Sequence, residues 1–313
     1  MPGKKRAPTP STAPASLLTR LARRGPHQVL HGNLAIVGVP GQVFTPAEAT
    51  GCPAVAFGHG WLTDSRRYRD LLYHLASWGI VVVAPDGQRG VLASDVGLAA
   101  DLRSSLSIAA HYRLGTGSVT VNPARLGVLG HGFGAAAAVI AASDRPLIGQ
   151  QPLDISAVVA LFPAPTTSQL PAAASSATAP SLVVAGSAEI DTVDANALPL
   201  ARVYGGDVVL RTIPGASGAG VLERRSLASL IGRNGADKKT HAAARALTTG
   251  FLLHTLAGAK DYAAFANPAV TIGKTGVIDP ADPPVQPLDR VSRLLGATPG
   301  NPALKILRKS PVR

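Results

Sequence analysis

Six continuous apolar runs constrain this chain more than any other feature of it. They are "CPAVAFGHG" (52–60), "IVVVAPD" (80–86), "LGVLGHG" (126–132), "ISAVVALFP" (155–163), "PSLVVAGSAEID" (180–191) and "DVVLRTIPGAS" (207–217). A strand with one face in water alternates apolar and polar residues, and these runs do not. They read as parallel strands covered on both faces. The intervals carry helical spacing. Asp64 or Ser65 caps a helix that turns Tyr68, Leu71, Leu72 and Leu75 inward and stops at Gly79. A longer helix is expected over about 94–113, an alanine-rich one after Gly134, and a closing one over 240–259 with Leu247, Phe251 and His254 on one side. Ahead of all this, "HQVLHGNLAIVGVPGQVFTPA" (27–47) alternates and breaks at Pro and Gly, as an antiparallel strand pair does. The fold class is α/β, a doubly wound, mostly parallel sheet with an antiparallel N-terminal strand pair.

The domain predicted from these elements spans 27–266. Residues 1–26 form a basic, Pro/Ala-rich tail, 164–179 an Ala/Ser/Pro/Thr-rich loop, and 267–313 a Pro-rich basic extension that wraps the body or hangs free. Of the net charge of +12, residues 1–24 hold +6 and residues 286–313 hold +5, leaving +1 for the body. The basicity therefore belongs to the ends. Such tails suit an anionic membrane surface or another acidic partner, with nucleic acid the less favoured choice. No apolar run is long enough to span a bilayer, and the N-terminus lacks the apolar stretch of a secretory signal. The single cysteine, Cys52, forms no internal disulfide. A cytoplasmic protein, peripheral to the inner membrane face if its tails bind there, is the expectation.

The third of the long parallel-type strands enters "GHGFG" (130–134) and an alanine-rich helix leaves it. That strand, corner and helix resemble the nucleophile elbow of the α/β-hydrolase superfamily, G-x-S-x-G. Residues 27–266 as a whole resemble its cutinase-like polyester hydrolase and dienelactone hydrolase branch. The resemblance implies an oxyanion site built from the Trp61 amide in "FGHGW" (57–61) and the Phe133 amide in the elbow. His59, Gly60 and His131 belong to the same two turns. It further implies Asp191 as the triad acid in "AGSAEIDTV" (185–193), and a catalytic histidine where "IPGASG" (213–218) has Gly218. The nucleophile position itself is Gly132. Two of the three triad positions thus lack the groups that do the chemistry. A glycine at the elbow keeps the positive-φ turn at little steric cost and gives up the Oγ.

Other readings of the same residues fit less well. As a dinucleotide fingerprint, the corner lacks an acid at the end of the following strand. His59 and His131 have no third ligand with metal-site spacing, so no metal and no cofactor is expected. Ser187 and Ser217 would each need a base as substitute nucleophiles, and Asp191 has the alternative of capping a helix that begins near Thr192. The expected function is that of a catalytically inactive α/β-hydrolase-like protein with a binding, scaffolding or regulatory role. It would act on an acyl or ester-like ligand in the cleft, or on a cell-envelope or membrane-associated protein partner. The alternative is an active esterase, lipase-like or dienelactone-hydrolase-like, with a rearranged site.

Overall fold

A computed structural model of the protein describes residues 14–144, 153–167, 169–192, 195–223 and 237–282. Among these, nine strands form one sheet: β1 (Val29–Asn33), β2 (Gly41–Pro46), β3 (Ala49–Gly58), β4 (Val81–Pro85), β5 (Val119–His131), β6 (Ala157–Leu161), β7 (Ser181–Gly186), β8 (Val208–Ile213) and β9 (Gly276–Ile278). Their spatial order is β1-β2-β4-β3-β5-β6-β7-β8-β9. Strands β3 to β8 run parallel; β1 and β2 pair antiparallel at one edge and β9 antiparallel at the other. Every residue of β4, β6 and β7 is buried, as unbroken apolar runs require of strands sandwiched between helices.

The helices divide between the two faces. On one face, α3 (Asp95–His111), α4 (Phe133–Ala141), α5 (Gln169–Ser176) and α6 (Ala197–Val203) enclose a core with Val83, Val128 and Val183. On the other, α1 (Pro14–Leu21), α2 (Arg69–Ser77) and α7 (Lys238–Thr255) enclose Phe44, Val82, Leu129 and Val184. Local chemistry sets the helix ends. Ser94 caps α3 by accepting the Gly97 N–H. Asp237 caps α7 by accepting from Lys239 and Thr240. Gly79, at φ +86°, turns the chain out of α2.

Residues outside 27–266 also take part. Leu17 and Leu21 of α1 are buried against α7, and the Arg20 guanidinium donates to the Tyr262 hydroxyl at 2.6 Å. Arg211 on β8 is buried, and its guanidinium donates to the carbonyls of Ala264, Asn267 and Val270 at 2.8–3.0 Å. Burial pulls it down to about 10. This cation holds the chain in place between α7 and β9. The expected loop 164–179 contains a helix, α5, because Leu170, Ala173 and Ala174 supply a small buried stripe that a composition of Ala and Ser conceals. Most of the tail charge, in residues 1–13 and 283–313, lies outside the described residues.

The connectivity places one crevice. After β3 the chain passes through α2 on one face, and after β5 it passes through α4 on the other. These strands are neighbours, so their carboxyl ends diverge at a topological switch point, where open α/β sheets hold their ligands.

Candidate functional site

The corner after β5 consists of one residue between strand and helix. Gly132 has φ 57° and ψ −114°, donates its N–H to the Leu161 carbonyl at 2.9 Å, and accepts from the Ala135 and Ala164 amides at 3.2 Å. A Cβ there would meet nothing within 4 Å. The flanking glycines serve a different purpose. A side chain at Gly134 would collide with the Gly58 and His59 carbonyls, and one at Gly130 with the Gly134 carbonyl. The G-x-G-x-G pattern thus brings the first turn of α4 directly against the ends of β3 and β5.

A cleft of about 430 Å³ opens over this corner, lined among others by Gly60, Trp61, Tyr68, His131, Gly132 and Phe133. Phe133 is the first residue of α4, so its amide is one of the free N–H groups at the positive end of that helix. Neither the Phe133 amide nor the Trp61 amide makes a hydrogen bond among the described residues. Two non-glycine residues with positive φ, Leu62 (54°) and Phe162 (46°), flank the cleft. Backbone strain of this kind persists where surrounding structure over-determines it, and it concentrates at ligand sites.

A buried hydrogen-bond chain runs along the cleft wall. Gly60 N–H donates to the Tyr68 hydroxyl (3.0 Å), Tyr68 contacts His131 Nδ1 (2.8 Å), and His131 Nε2 contacts the Gly218 carbonyl (3.0 Å). A carbonyl only accepts, so Nε2 carries the proton and Nδ1 accepts from the phenol. Burial pushes His131 down to about 4, against the opposing pull of its bond to the Gly218 carbonyl. Burial likewise pushes the Tyr68 phenol up to about 12. The imidazole is therefore neutral at physiological pH and both its nitrogens are engaged. It does not stand ready to take a proton from a ligand.

The expected site residues do not all converge. Trp61, Gly60, His131, Gly132 and Phe133 share the cleft, and Gly218 reaches it through its carbonyl. His59 lies behind the cleft, fully buried, with Nδ1 against the Gly60 carbonyl at 3.0 Å. On the connection after β7, which also carries Asp191, the Glu189 carboxylate accepts the Gly218 N–H at 3.1 Å. Asp191 does not cap a helix beginning near Thr192. The next helix begins at Ala197 after Asn196, because residues 192 and 195 first close a small backbone bridge. Ser217 opens onto a neighbouring polar cleft with Asp237 and Lys239. Neither its hydroxyl nor that of Ser187 bonds a histidine or carboxylate among the described residues. Those residues also contain no cluster of three metal-ligating side chains.

Two contributors escaped the sequence reading. Tyr68 carries only the apolar periodicity of α2's approach, which marks it as core. Thr166 lines the cleft with its Oγ1 buried and unpartnered among the described residues, and it sits in a stretch whose composition signals only loop.

The strand order, the alternation of helices between faces and the strand–glycine–helix corner at the switch point define an α/β-hydrolase fold. Residues 31–185 match the family model of chlorophyllase. The match runs from β1 through β7 and includes the Trp61 turn and the Gly132 corner; it stops short of Glu189, Asp191 and Gly218. No curated protein matches the chain. No helix among the described residues is long and apolar enough to cross a membrane.

Proposed function

We propose that this chain binds an ester- or acyl-bearing ligand in the Trp61–Phe133 cleft and does not hydrolyse it. One observation carries the reading: the residue at the corner beneath the cleft, Gly132, brings no nucleophilic side chain, while the adjacent imidazole of His131 is committed to Tyr68 and Gly218. Acyl transfer needs a nucleophile and a base within hydrogen-bond reach of it. Binding needs neither. A carbonyl or carboxylate oxygen seated between the Trp61 and Phe133 amides would accept two hydrogen bonds at a helix N-terminus. Trp61, Ala164, Pro165 and Leu222 offer the apolar wall for an acyl chain. The resemblance to cutinase-like and dienelactone hydrolases supports the same alignment, with Gly132 and Gly218 at the positions of the nucleophile and the base. The buried, unpaired Cys52 accords with a reducing compartment such as the cytoplasm.

The test pairs a fluorophosphonate probe with a binding titration of a short-chain fatty acid followed by tryptophan emission. Saturable binding without covalent labelling is the expected result; stoichiometric labelling would overturn the reading. The chlorophyllase match favours a second reading, ester hydrolysis by a rearranged site. That reading requires turnover of an aryl ester above the level of the heat-denatured protein.

A further inference from the structure

Of the eight large apolar side chains exposed among the described residues, six lie on three connections at one rim of the sheet: Ile36, Val37, Trp61, Leu62, Val91 and Leu92. Ile36 and Leu92 are 88% and 94% exposed. The connections are 34–40 between β1 and β2, 59–68 after β3, and 86–94 after β4. The first meets the other two because β2 runs against β4, with Gly41 opposite Pro85.

Beneath the apolar tips, a buried polar tie joins all three. The Asp86 carboxylate accepts from the Ser65 amide and the Ser65 hydroxyl, both at 2.8 Å. Ser65 Oγ in turn accepts from Gln42 Nε2 at 2.9 Å, and the Asp86 N–H donates to the Pro40 carbonyl at 2.7 Å. Leu34 and Val39 anchor the first connection in the core. The tips therefore stand on a fixed base, held out to solvent by a hydrogen-bonded frame. Exposed apolar side chains gathered at one rim on a fixed base mark an interaction site.

The charges on the rim select its occupant. The exposed charged side chains of the three connections are Arg66 and Arg89. Of the acids, Asp86 is buried and consumed by Ser65, while the half-exposed Asp64 accepts the Arg66 N–H and is outnumbered by the arginines. A second copy of the chain docking by a two-fold axis would bring this positive rim against itself. An anionic lipid surface offers both an apolar layer and negative headgroups, and Trp61, half-exposed at the cleft mouth, is the side-chain type that settles at such a boundary. We propose that this rim seats the protein on an anionic lipid bilayer, its apolar tips in the headgroup–acyl boundary and Arg66 and Arg89 against lipid phosphates, with the cleft opening toward the membrane. The proposal stands whether or not the cleft hydrolyses its ligand.

The experiment sediments the full chain with vesicles of phosphatidylcholine, with and without phosphatidylglycerol. The wild type is expected to partition to the anionic vesicles. The triple variant Ile36→Ser, Val91→Ser, Leu92→Ser should partition roughly 10-fold less or weaker still. Arg66→Gln with Arg89→Gln should lose the anionic preference and its salt sensitivity. Because the three replaced side chains are exposed, circular dichroism should be unchanged. Brominated lipid should quench tryptophan emission in the wild type, which tests the seating without any variant. Three outcomes overturn the proposal: undiminished partitioning of the triple variant, which assigns the binding to the basic tails; absence of quenching; or a wild-type dimer that the triple variant dissociates without effect on vesicle binding, which assigns the rim to a second copy.

Discussion

The strand ends on the two sides of the cleft are held by different forces. On the β5 side, Gly130 and Gly134 let backbone touch backbone, Gly132 supplies the positive-φ turn between them, and the corner's shape follows from close packing and carbonyl–amide bonds. On the β7 and β8 side, position is set by side chains: Glu189 grips the Gly218 amide and His131 grips its carbonyl. A turn built from backbone packing survives the loss of any catalytic side chain. A strand end built from side-chain partners depends on each of them, here Glu189 and His131.

Breaking the packed side should cost most. Gly134→Ala drives a methyl into the Gly58 and His59 carbonyls. A loss of about 4 kcal/mol or more, or failure to fold, is expected in urea denaturation. Acidification probes the buried polar groups next. His131 and His74 are each held near 4 by burial, with the Arg245 charge a lesser cause at His74, against 6.5 for a free imidazole. Below pH 6.5 the unfolded chain takes up protons that the folded chain refuses. The imidazoles' contribution to stability is therefore level above 6.5 and falls as pH drops toward 4. Glu223, raised to about 7 by burial, acts oppositely, its stabilisation lost as pH rises from 4.5 to 7. With two imidazoles against one carboxyl, stability should fall between pH 6.5 and 4.5 by about 2 kcal/mol, read as a lowered melting temperature. A flat profile would show that these groups are solvated.

The side-chain-built end should respond more mildly. Tyr68→Phe strips the Gly60 N–H and His131 Nδ1 of their partner. A cost of about 2 kcal/mol is expected, and the His131 titration, followed by NMR, should shift. Smallest of all, Gly132→Ser meets no neighbour and bears only the strain of a positive φ, about 1 kcal/mol. Gly218 also has room, its Cβ position lying 3.4 Å from Phe162 and 3.7 Å from His131. The double variant Gly132→Ser, Gly218→His, screened against aryl esters, sharpens the comparison directly. Turnover would mean that both ends still stand in catalytic register. None, with the fold intact, would mean that the Glu189–Gly218 end has moved out of it.

The packed side was the legible side. Unbroken β-branched runs identify buried strands, and glycines two apart identify a close strand–helix corner, because each follows from local sterics. The Tyr68–His131 bond was hidden, since it joins residues 63 positions apart and Tyr68 satisfies an apolar helix pattern equally well. Glu189 and Asp191 both follow β7, and only the path of the backbone decides which carboxylate faces Gly218. Strand β9 lies in a Pro-rich stretch that carries no alternation, its three residues only half-buried at the sheet edge. Arg211 occupies a strand position that an apolar pattern treats as an interruption.

That arginine fixes how short the chain can be made. Its three acceptor carbonyls belong to residues 264, 267 and 270. A chain ended at 266, where composition changes, would retain one of them and leave a guanidinium inside the sheet with most of its partners gone. The smallest self-sufficient unit therefore runs past the apparent boundary. Its end is set by a single cation on the eighth strand, not by the last helix.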